Sequence, residues 1–406
     1  MSSRTLPVAL ALVTFGGFAT SDAARAAVPQ ALLDIALRSS FPSREKQTVD
    51  QWVQQRIEQL TAANTREAAT SFQADFQIFS RPGQDSEVSY EFRELLAEKC
   101  SDRFPGALQG MDGIPAQAMA MVLADLRAAK TVGGLRACLE HGNAGVRYWG
   151  AKGLHLNQDI WNRSASTAGP AVAALTAASG RESNEIIVSK IFAALSFEPG
   201  ARSEVVVPEL IKAVDAFMPA RIEAYRTGQV RQVAADREWP GILVNLARDA
   251  KTPTAQKSIV LGYVSKLLVA ATELYIDGER RYRGNGDNLP LLDPSEVRIL
   301  YRPKHESDGI GAGGLAPNAT LPDVVAACEA ACRRAALEAK IDGEYPKIYE
   351  LLMVDRSQPL EVDKIRLELV EWVGTNAAPG LLNKPPLNVK VPSPFKVERV
   401  SADPTQ

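Results

Sequence analysis

The sequence has little of several things that would identify a function. Of its 406 residues, only four are cysteines and three are histidines, and 46 basic side chains nearly cancel 48 acidic ones. So few cysteines exclude a disulfide-dense secreted fold. A net charge of −2 excludes the basic surface typical of nucleic-acid-binding proteins. Hydrophobic residues make up 46% of the chain, which is too many for a mainly disordered protein.

The chain also lacks the signatures of common catalytic and metal centres. His141, His155 and His305 do not form an H-E-x-x-H motif, and no G-x-S-x-G motif is present. The G-x-G-x-x-G match at 309–314 has neither the preceding strand nor the following helix that dinucleotide binding requires. We therefore predict no catalytic residues, no metal and no cofactor.

The N-terminal 26 residues have the pattern of a secretory signal peptide. Arg4 precedes an apolar run over 6–18, and Ala24-Arg25-Ala26 places small residues at the two positions read by a signal peptidase. The run is shorter than the roughly 20 residues that a membrane-spanning helix needs. We expect cleavage near Ala26 and a periplasmic or extracellular protein with no transmembrane segment in the mature chain. An uncleaved anchor is the alternative.

Helical periodicity dominates the chain from Val28 to about Trp372. Apolar residues recur at steps of three and four, which places them on one face of a helix. The clearest example is the set Val49, Trp52, Val53, Ile57 and Leu60. Alternation of apolar and polar residues is nearly absent before the C-terminal tail. The pattern predicts an all-α fold.

A repeat is visible in the central part of the chain. Val146 and Ile187 begin two similar apolar segments that end at Leu154 and Leu195, so both pairs are separated by 41 residues. This period is within the range of HEAT and armadillo helix pairs. Short connections rich in Gly, Asn and Pro favour antiparallel helical hairpins.

The segment 143–154 resembles the start of the second helix of a HEAT repeat. That pattern has an Asp, then Val-Arg, then two small residues, then Leu. The matching residues here are Val146, Arg147, Gly150, Ala151 and Leu154, while Asn143 replaces the Asp. The resemblance covers roughly residues 116–271. It implies an irregular HEAT-like α-α superhelix, and HEAT arrays are mostly binding scaffolds.

These observations divide the chain into six regions. They are a signal peptide at 1–26, an N-terminal helical region at 27–113, HEAT-like repeats at 114–274, an irregular loop at 275–321, C-terminal helices at 322–380, and an extended or disordered Pro-rich tail at 381–406. The loop is rich in Gly and Pro, and a long irregular segment of this kind is often functional.

Basic and aromatic residues of the irregular loop are candidates for binding an anionic ligand. They are Arg280, Arg281, Tyr282, Arg283, Arg302 and His305. Neighbouring carboxylates nearly cancel their charge, so a solvated loop held by salt bridges is the alternative.

The four cysteines leave three alternatives open. Cys328 and Cys332 are four residues apart and share one face of a predicted helix, while Cys100 and Cys138 make the number even. Buried unpaired thiols, at least one disulfide, and metal or haem-like ligation are each compatible with this pattern.

The sequence favours an exported protein-binding or scaffold module. Its partner would be another envelope or extracellular protein or a peptide, because a nearly neutral array has no preference for nucleic acid. The concave face of the array would be the binding surface. One alternative is an envelope enzyme with a pocket between the array and the 275–321 loop, whose candidate residues would be Asp277, Glu279, Arg280, Arg281 and His305. A structural spacer in a larger complex is the other.

Overall fold

The computed structural model describes residues 28–80, 88–196, 203–230, 232–283, 300, 319–353 and 358–391. Within these residues the secondary structure is helical and contains no strand, so the all-α prediction is confirmed. The chain divides into two compact units, Met1–Leu195 and Ser196–Gln406. The division falls inside 114–274, so the region that the sequence analysis treated as one array belongs to two units.

Unit 1 consists of helices joined by short turns. They are α1 Gln30–Ala36, α2 Ser43–Ala63, α3 Arg66–Ser80, α4 Tyr90–Leu108, α5 Gly113–Asp125, α6 Val132–Leu139, α7 Ala144–Leu156, α8 Gln158–Trp161, α9 Ala165–Ser179 and α10 Glu185–Leu195. A 3-10 turn, Ala129–Thr131, precedes α6. The helices α2 to α7, α9 and α10 form four successive hairpins.

The hairpins of unit 1 are arranged in two layers. The first helices of the hairpins, α2, α4, α6 and α9, pack against one another in chain order. The second helices, α3, α5, α7 and α10, do the same, and we call them the second-helix layer. Each hairpin therefore contributes one helix to each layer.

Two glycines in α7 allow the layers to approach closely. A Cβ atom at Gly150 would lie 3.0 Å from the Leu135 carbonyl oxygen, and one at Gly153 would lie 2.5 Å from a Leu135 methyl group. Only a residue without a side chain fits at these two positions. The small residues that match the HEAT pattern therefore have a packing role between α6 and α7.

Aromatic side chains fill the core at the N-terminal end of unit 1. The ring of Trp52 lies 4.7 Å from that of Phe76 and 5.8 Å from that of Phe79, measured between centroids. Phe104 of α4 is 6.1 Å from Phe76. All four side chains are buried. Burial of such rings is the main stabilising term in a helical core, and the apolar stripe of α2 supplies it.

Unit 2 contains longer and less regular helices. They are α11 Ser203–Arg226, α12 Val233–Asp236, α13 Trp239–Arg248, α14 Thr254–Tyr282, α15 Leu321–Glu338, α16 Ile348–Leu352 and α17 Val362–Val373. Helix α14 packs against α11, α13 and α15. Among the described residues it is the one helix long and apolar enough to cross a membrane, and 72% of its most apolar window is buried inside the protein.

The structure corrects the start of the predicted irregular loop. Residues 275–282 are the last two turns of α14, because the apolar face of that helix continues to Tyr275 and Ile276, both of which are buried. Proline and glycine become frequent only after Tyr282. The predicted loop residues from 284 onward, except Leu300 and residues 319–321, are outside the described part of the chain.

The first part of the predicted tail is packed onto unit 2. A 3-10 turn, Leu381–Asn383, leads into residues whose Val389 and Val391 side chains are buried. The Ser258 hydroxyl of α14 donates to the Asn388 carbonyl oxygen at 3.1 Å. Residues 381–391 are therefore an ordered segment on α14, which corrects the expectation of disorder for that part. Residues 392–406 lie outside the described range.

Candidate functional site

Equivalent polar residues cap three neighbouring helices of the second-helix layer. Asp112 Oδ1 accepts from the Gly113 N–H at 2.7 Å at the start of α5. Asn143 Oδ1 accepts from two N–H groups at the start of α7, and Asn184 Oδ1 does so at the start of α10. Such caps satisfy N–H groups that have no partner within the helix. The caps are separated by 31 and then 41 residues.

Direct hydrogen bonds connect the turn before α7 to the turn before α5. The Asn143 side-chain amide donates to Asp112 Oδ1 at 2.6 Å. The Gly113 N–H and this amide together hold the pKa of Asp112 below its usual value. His141 Nε2 lies 3.0 Å from the Leu108 carbonyl oxygen and 3.1 Å from that of Met111, while Nδ1 accepts from the Asn143 N–H. These partners assign the ring proton to Nε2.

An arginine makes the corresponding connection from α7 to the turn before α10. Arg147 donates from Nε and Nη2 to the Glu182 carboxylate at 2.6 and 3.3 Å. Its Nη1 donates to the carbonyl oxygens of His141 and Gly142. Glu182 also accepts from the Asn184 N–H at 2.9 Å. The Arg of the HEAT-like pattern therefore links two successive turns of unit 1.

The other ends of the same helices are also connected. The Asn157 amide, just after α7, donates to the Ala124 carbonyl oxygen of α5 at 3.3 Å. The Gln158 amide donates to the carbonyl oxygens of Ala193 and Ala194 of α10 at 2.8 and 2.7 Å. Helices α5, α7 and α10 are therefore parallel, and both of their ends are fixed.

The cap alignment identifies the outward face of these three helices. Gly150 and Gly153 of α7 face α6, so residues about half a turn away point outward from the layer. The outward positions are Ile114, Gln117 and Met121 on α5, Gly145, Tyr148, Trp149 and Lys152 on α7, and Ile186, Ser189, Lys190 and Ala193 on α10. A Cβ atom at Gly145 would meet the Gln117 side chain, which places these two positions side by side.

Two aromatic rings and a lysine form the centre of this face. The rings of Tyr148 and Trp149 are edge to face, with 5.6 Å between their centroids. The Lys152 ammonium lies 4.1 Å from the centroid of Trp149 and 5.7 Å from that of Tyr148. Tyr148 is buried, and desolvation raises the pKa of its hydroxyl. Trp149 and Lys152 are half-buried, so the cluster presents a held ring and a positioned cation.

The predicted anion-binding residues do not converge within the described part of the chain. Arg280 and Tyr282 are exposed at the end of α14, and the Arg283 guanidinium is 2.8 Å from the buried Glu279 carboxylate. Arg281 is half-buried on the same helix. Four successive residues of a helix point in different directions, which separates their side chains. Arg302 and His305 lie outside the described residues.

The acids suggested for an enzyme are also separated by the helix. Glu279 is buried and accepts from the Tyr275 hydroxyl at 3.4 Å as well as from Arg283. Asp277 is exposed on another side, where desolvation and Glu273 raise the pKa of its carboxyl. Arg366 of α17 binds Glu273 with two hydrogen bonds, of 3.1 and 2.8 Å. These groups are paired along the surface of α14 and do not line a common pocket.

All four cysteines are buried free thiols in the structure. Burial raises the pKa of each thiol, to about 12 for Cys138. A protonated thiol is a poor nucleophile and a poor metal ligand. Cys328 and Cys332 share α15, as their spacing predicted. Of the three alternatives, the structure contains the buried unpaired thiols.

Two open clefts occur in the described part of the molecule, one in each unit. The cleft of unit 1 has a volume of about 470 Å³ and that of unit 2 about 440 Å³. The first is lined by Lys46, Gln47, Asp50, Lys99, Asp102 and Arg103. Arg103 donates twice to Asp50, at 3.0 and 2.6 Å, so opposite charges already neutralise each other there. Within the described ranges, no group of three His, Cys, Asp or Glu side chains could hold a metal.

The sequence analysis quoted Tyr148, Trp149 and Lys152 within the HEAT-like segment but did not identify them as a site. A signal was available, since a Trp on the polar side of an amphipathic helix is an unusual use of a large apolar residue. Recognising the outward side required the alignment of α7 with its neighbours.

Comparison of the chain with protein-family models, with curated proteins and with solved structures gives no match. The two-layer arrangement and the outward face of α5, α7 and α10 are therefore the basis for a functional assignment.

Proposed function

We propose that unit 1 is a HEAT-like protein-binding scaffold and that it binds a peptide segment on the outward face of α5, α7 and α10. The observation that carries the proposal is the Trp149 ring, which is half-buried and stacked with Lys152 at the centre of that face. Trp is the residue most enriched among side chains that dominate the free energy of protein association.

The rigidity of the face supports this function. The caps and Arg147 hold the N-terminal ends of the helices, and Asn157 and Gln158 hold the C-terminal ends. A surface that is ordered before binding loses less conformational entropy when a partner binds. The apolar outward residues Ile114 and Ile186 extend the contact area on both sides of Trp149.

A selection of random displayed peptides against the full chain tests the proposal. We expect Trp149→Ala to weaken binding of the selected peptides by about tenfold or more, as for a central aromatic anchor. Tyr90→Ala is the matched control, because Tyr90 is a 53% exposed aromatic residue on α4, in the other layer of unit 1. Peptides that bind both variants as tightly as the parent chain, or a selection that yields no binder, would overturn the proposal.

The proposal includes export of the protein. Its support is the leader pattern of residues 1–26, with Ala24 and Ala26 at the cleavage positions. Mass spectrometry of the N-terminal peptide from fractionated cells tests this part. We expect a chain that begins near Ala27 in the exported fraction, and an intact leader in the cytoplasmic fraction alone would contradict export.

A further inference from the structure

From the charge of the proposed binding face, we infer that its partner is an acidic peptide segment with at least one apolar side chain. This inference rests on the proposed function, because it concerns the same surface. It specifies that carboxylates of the partner contact Lys152 and Lys190 while the apolar side chain packs on Trp149.

The outward positions of the three helices carry positive charge only. Lys152 of α7 and Lys190 of α10 are the charged residues among the eleven positions assigned to the face, and none of the eleven is acidic. The cap alignment equates Lys190 of α10 with Trp149 of α7, since both follow their caps by six residues. That position faces the preceding helix, so Lys190 borders the groove between α7 and α10, beside Lys152.

The nearest carboxylates of the turns are already used within unit 1. Asp112 accepts from the Gly113 N–H and from the Asn143 amide. The Glu182 carboxylate is 4% exposed and accepts from Arg147 and from the Asn184 N–H. A carboxylate that has several donors within its own chain gives little compensation to a cation on the neighbouring face. The face therefore keeps a positive potential, which favours an acidic partner.

The geometry of Lys152 suits a side chain that is both apolar and acidic, or two adjacent side chains of these kinds. Contact with a ring face orients the ammonium without using its N–H groups as hydrogen-bond donors to an acceptor atom. A partner carboxylate on Lys152 places the neighbouring apolar atoms of the partner near the Trp149 ring. The same residues would repel a basic segment.

The test uses the peptides that depend on Trp149 in the selection described above. We expect them to carry net negative charge and to bind Lys152→Gln/Lys190→Gln about tenfold more weakly than the parent chain. The matched control is Lys130→Gln/Lys251→Gln, which removes the same charge at two exposed positions away from this face. It should change binding by less than about twofold, because exposed charges beyond a Debye length are screened.

A second measurement separates charge from folding. Raising the NaCl concentration from about 50 to about 300 mM should weaken the peptides' binding to the parent chain but barely affect the double lysine variant on the face. Trp149-dependent peptides that are neutral or basic, or whose affinity both double variants leave unchanged, would overturn this inference while the proposed function stands. If no selected peptide depends on Trp149, the proposed function itself fails.

Discussion

The two units use polar side chains in different places. In unit 1 they lie mainly at the helix ends, where Asp112, Asn143 and Asn184 occupy equivalent turns. In unit 2 carboxylates lie inside: Asp236, Glu279 and Glu329 are all less than 9% exposed, and each binds an arginine of its own. Repeated turns can be built from local sequence, whereas each buried pair is specific to one position. The difference explains why a repeat is visible in unit 1.

The largest effect should come from removing a buried acid of unit 2. Asp236 accepts from Arg221 Nε and, at 3.1 Å, from the buried Tyr225 hydroxyl. Asp236→Ala leaves both donors without that carboxylate, and we expect the free energy of unfolding to fall by about 3–5 kcal/mol. Urea denaturation measures the change.

The control for this variant is Asp342→Ala, at an exposed aspartate of the same unit. It should change the free energy of unfolding by less than about 0.5 kcal/mol. Equal small losses for Asp236→Ala and Asp342→Ala would mean that the buried acids of unit 2 do not stabilise it in the way we describe.

The second prediction concerns Asp75, which is the exception to the pattern of unit 1. Its carboxylate is buried 2.5 Å from Arg56, yet burial raises its pKa from 3.8 to about 6. A raised pKa in the folded state stabilises the fold below pH 3.8, and this contribution is lost as the pH rises through 6. The loss is about 3 kcal/mol, from a shift of about two pKa units.

Asp75→Asn removes this titration. The difference in unfolding free energy between the parent chain and the variant should therefore shift by about 3 kcal/mol between pH 3.5 and 7, in favour of the variant at the higher pH. Urea denaturation at a series of pH values measures it. A difference that does not vary with pH would show that the Asp75 pKa is the same in the folded and unfolded chains.

The helices and their apolar faces could be predicted from the sequence, because periodicity records burial directly. The stripe from Val49 to Leu60 is buried as predicted. The array was harder to delimit. The 41-residue spacing is real for α7 and α10, but α5 and α7 are spaced by 31 residues, because only the later hairpin is preceded by the extra helix α8. A search at one fixed period does not detect the earlier member.

The candidate site was less predictable than the fold. Trp149 and Lys152 are three residues apart and could be paired on a helix from the sequence. Their outward direction depends on Gly150 and Gly153 facing α6, and on the alignment of α7 with α5 through hydrogen bonds between distant residues. Buried pairs such as Arg221 with Asp236 likewise join residues from different helices, and composition gives no indication of which charges meet.

The third prediction tests the connected turns of unit 1. Asn143 caps α7 and also donates to Asp112, whereas Asn184 caps α10 and has no side-chain bond to a neighbouring turn among the hydrogen bonds described for it. Asn143→Ala should lower the free energy of unfolding by about 1–2 kcal/mol, because a cap and a link are lost together. Asn184→Ala should cost about 1 kcal/mol or less. An equal or larger loss at Asn184 would contradict a stabilising role for the link.

The smallest effect is expected at Arg147, where charge and geometry can be separated. A lysine keeps the charge but cannot donate to the Glu182 carboxylate and to two turn carbonyl oxygens at once. Arg147→Lys should therefore cost about 0.5–1 kcal/mol, the range of a partly exposed ion pair. In a double-mutant cycle with Glu182→Gln, most of that cost should appear as coupling between the two residues. If the two losses simply add, then Arg147 stabilises its own turn alone and the N-terminal ends of α7 and α10 are held together by helix packing rather than by this ion pair.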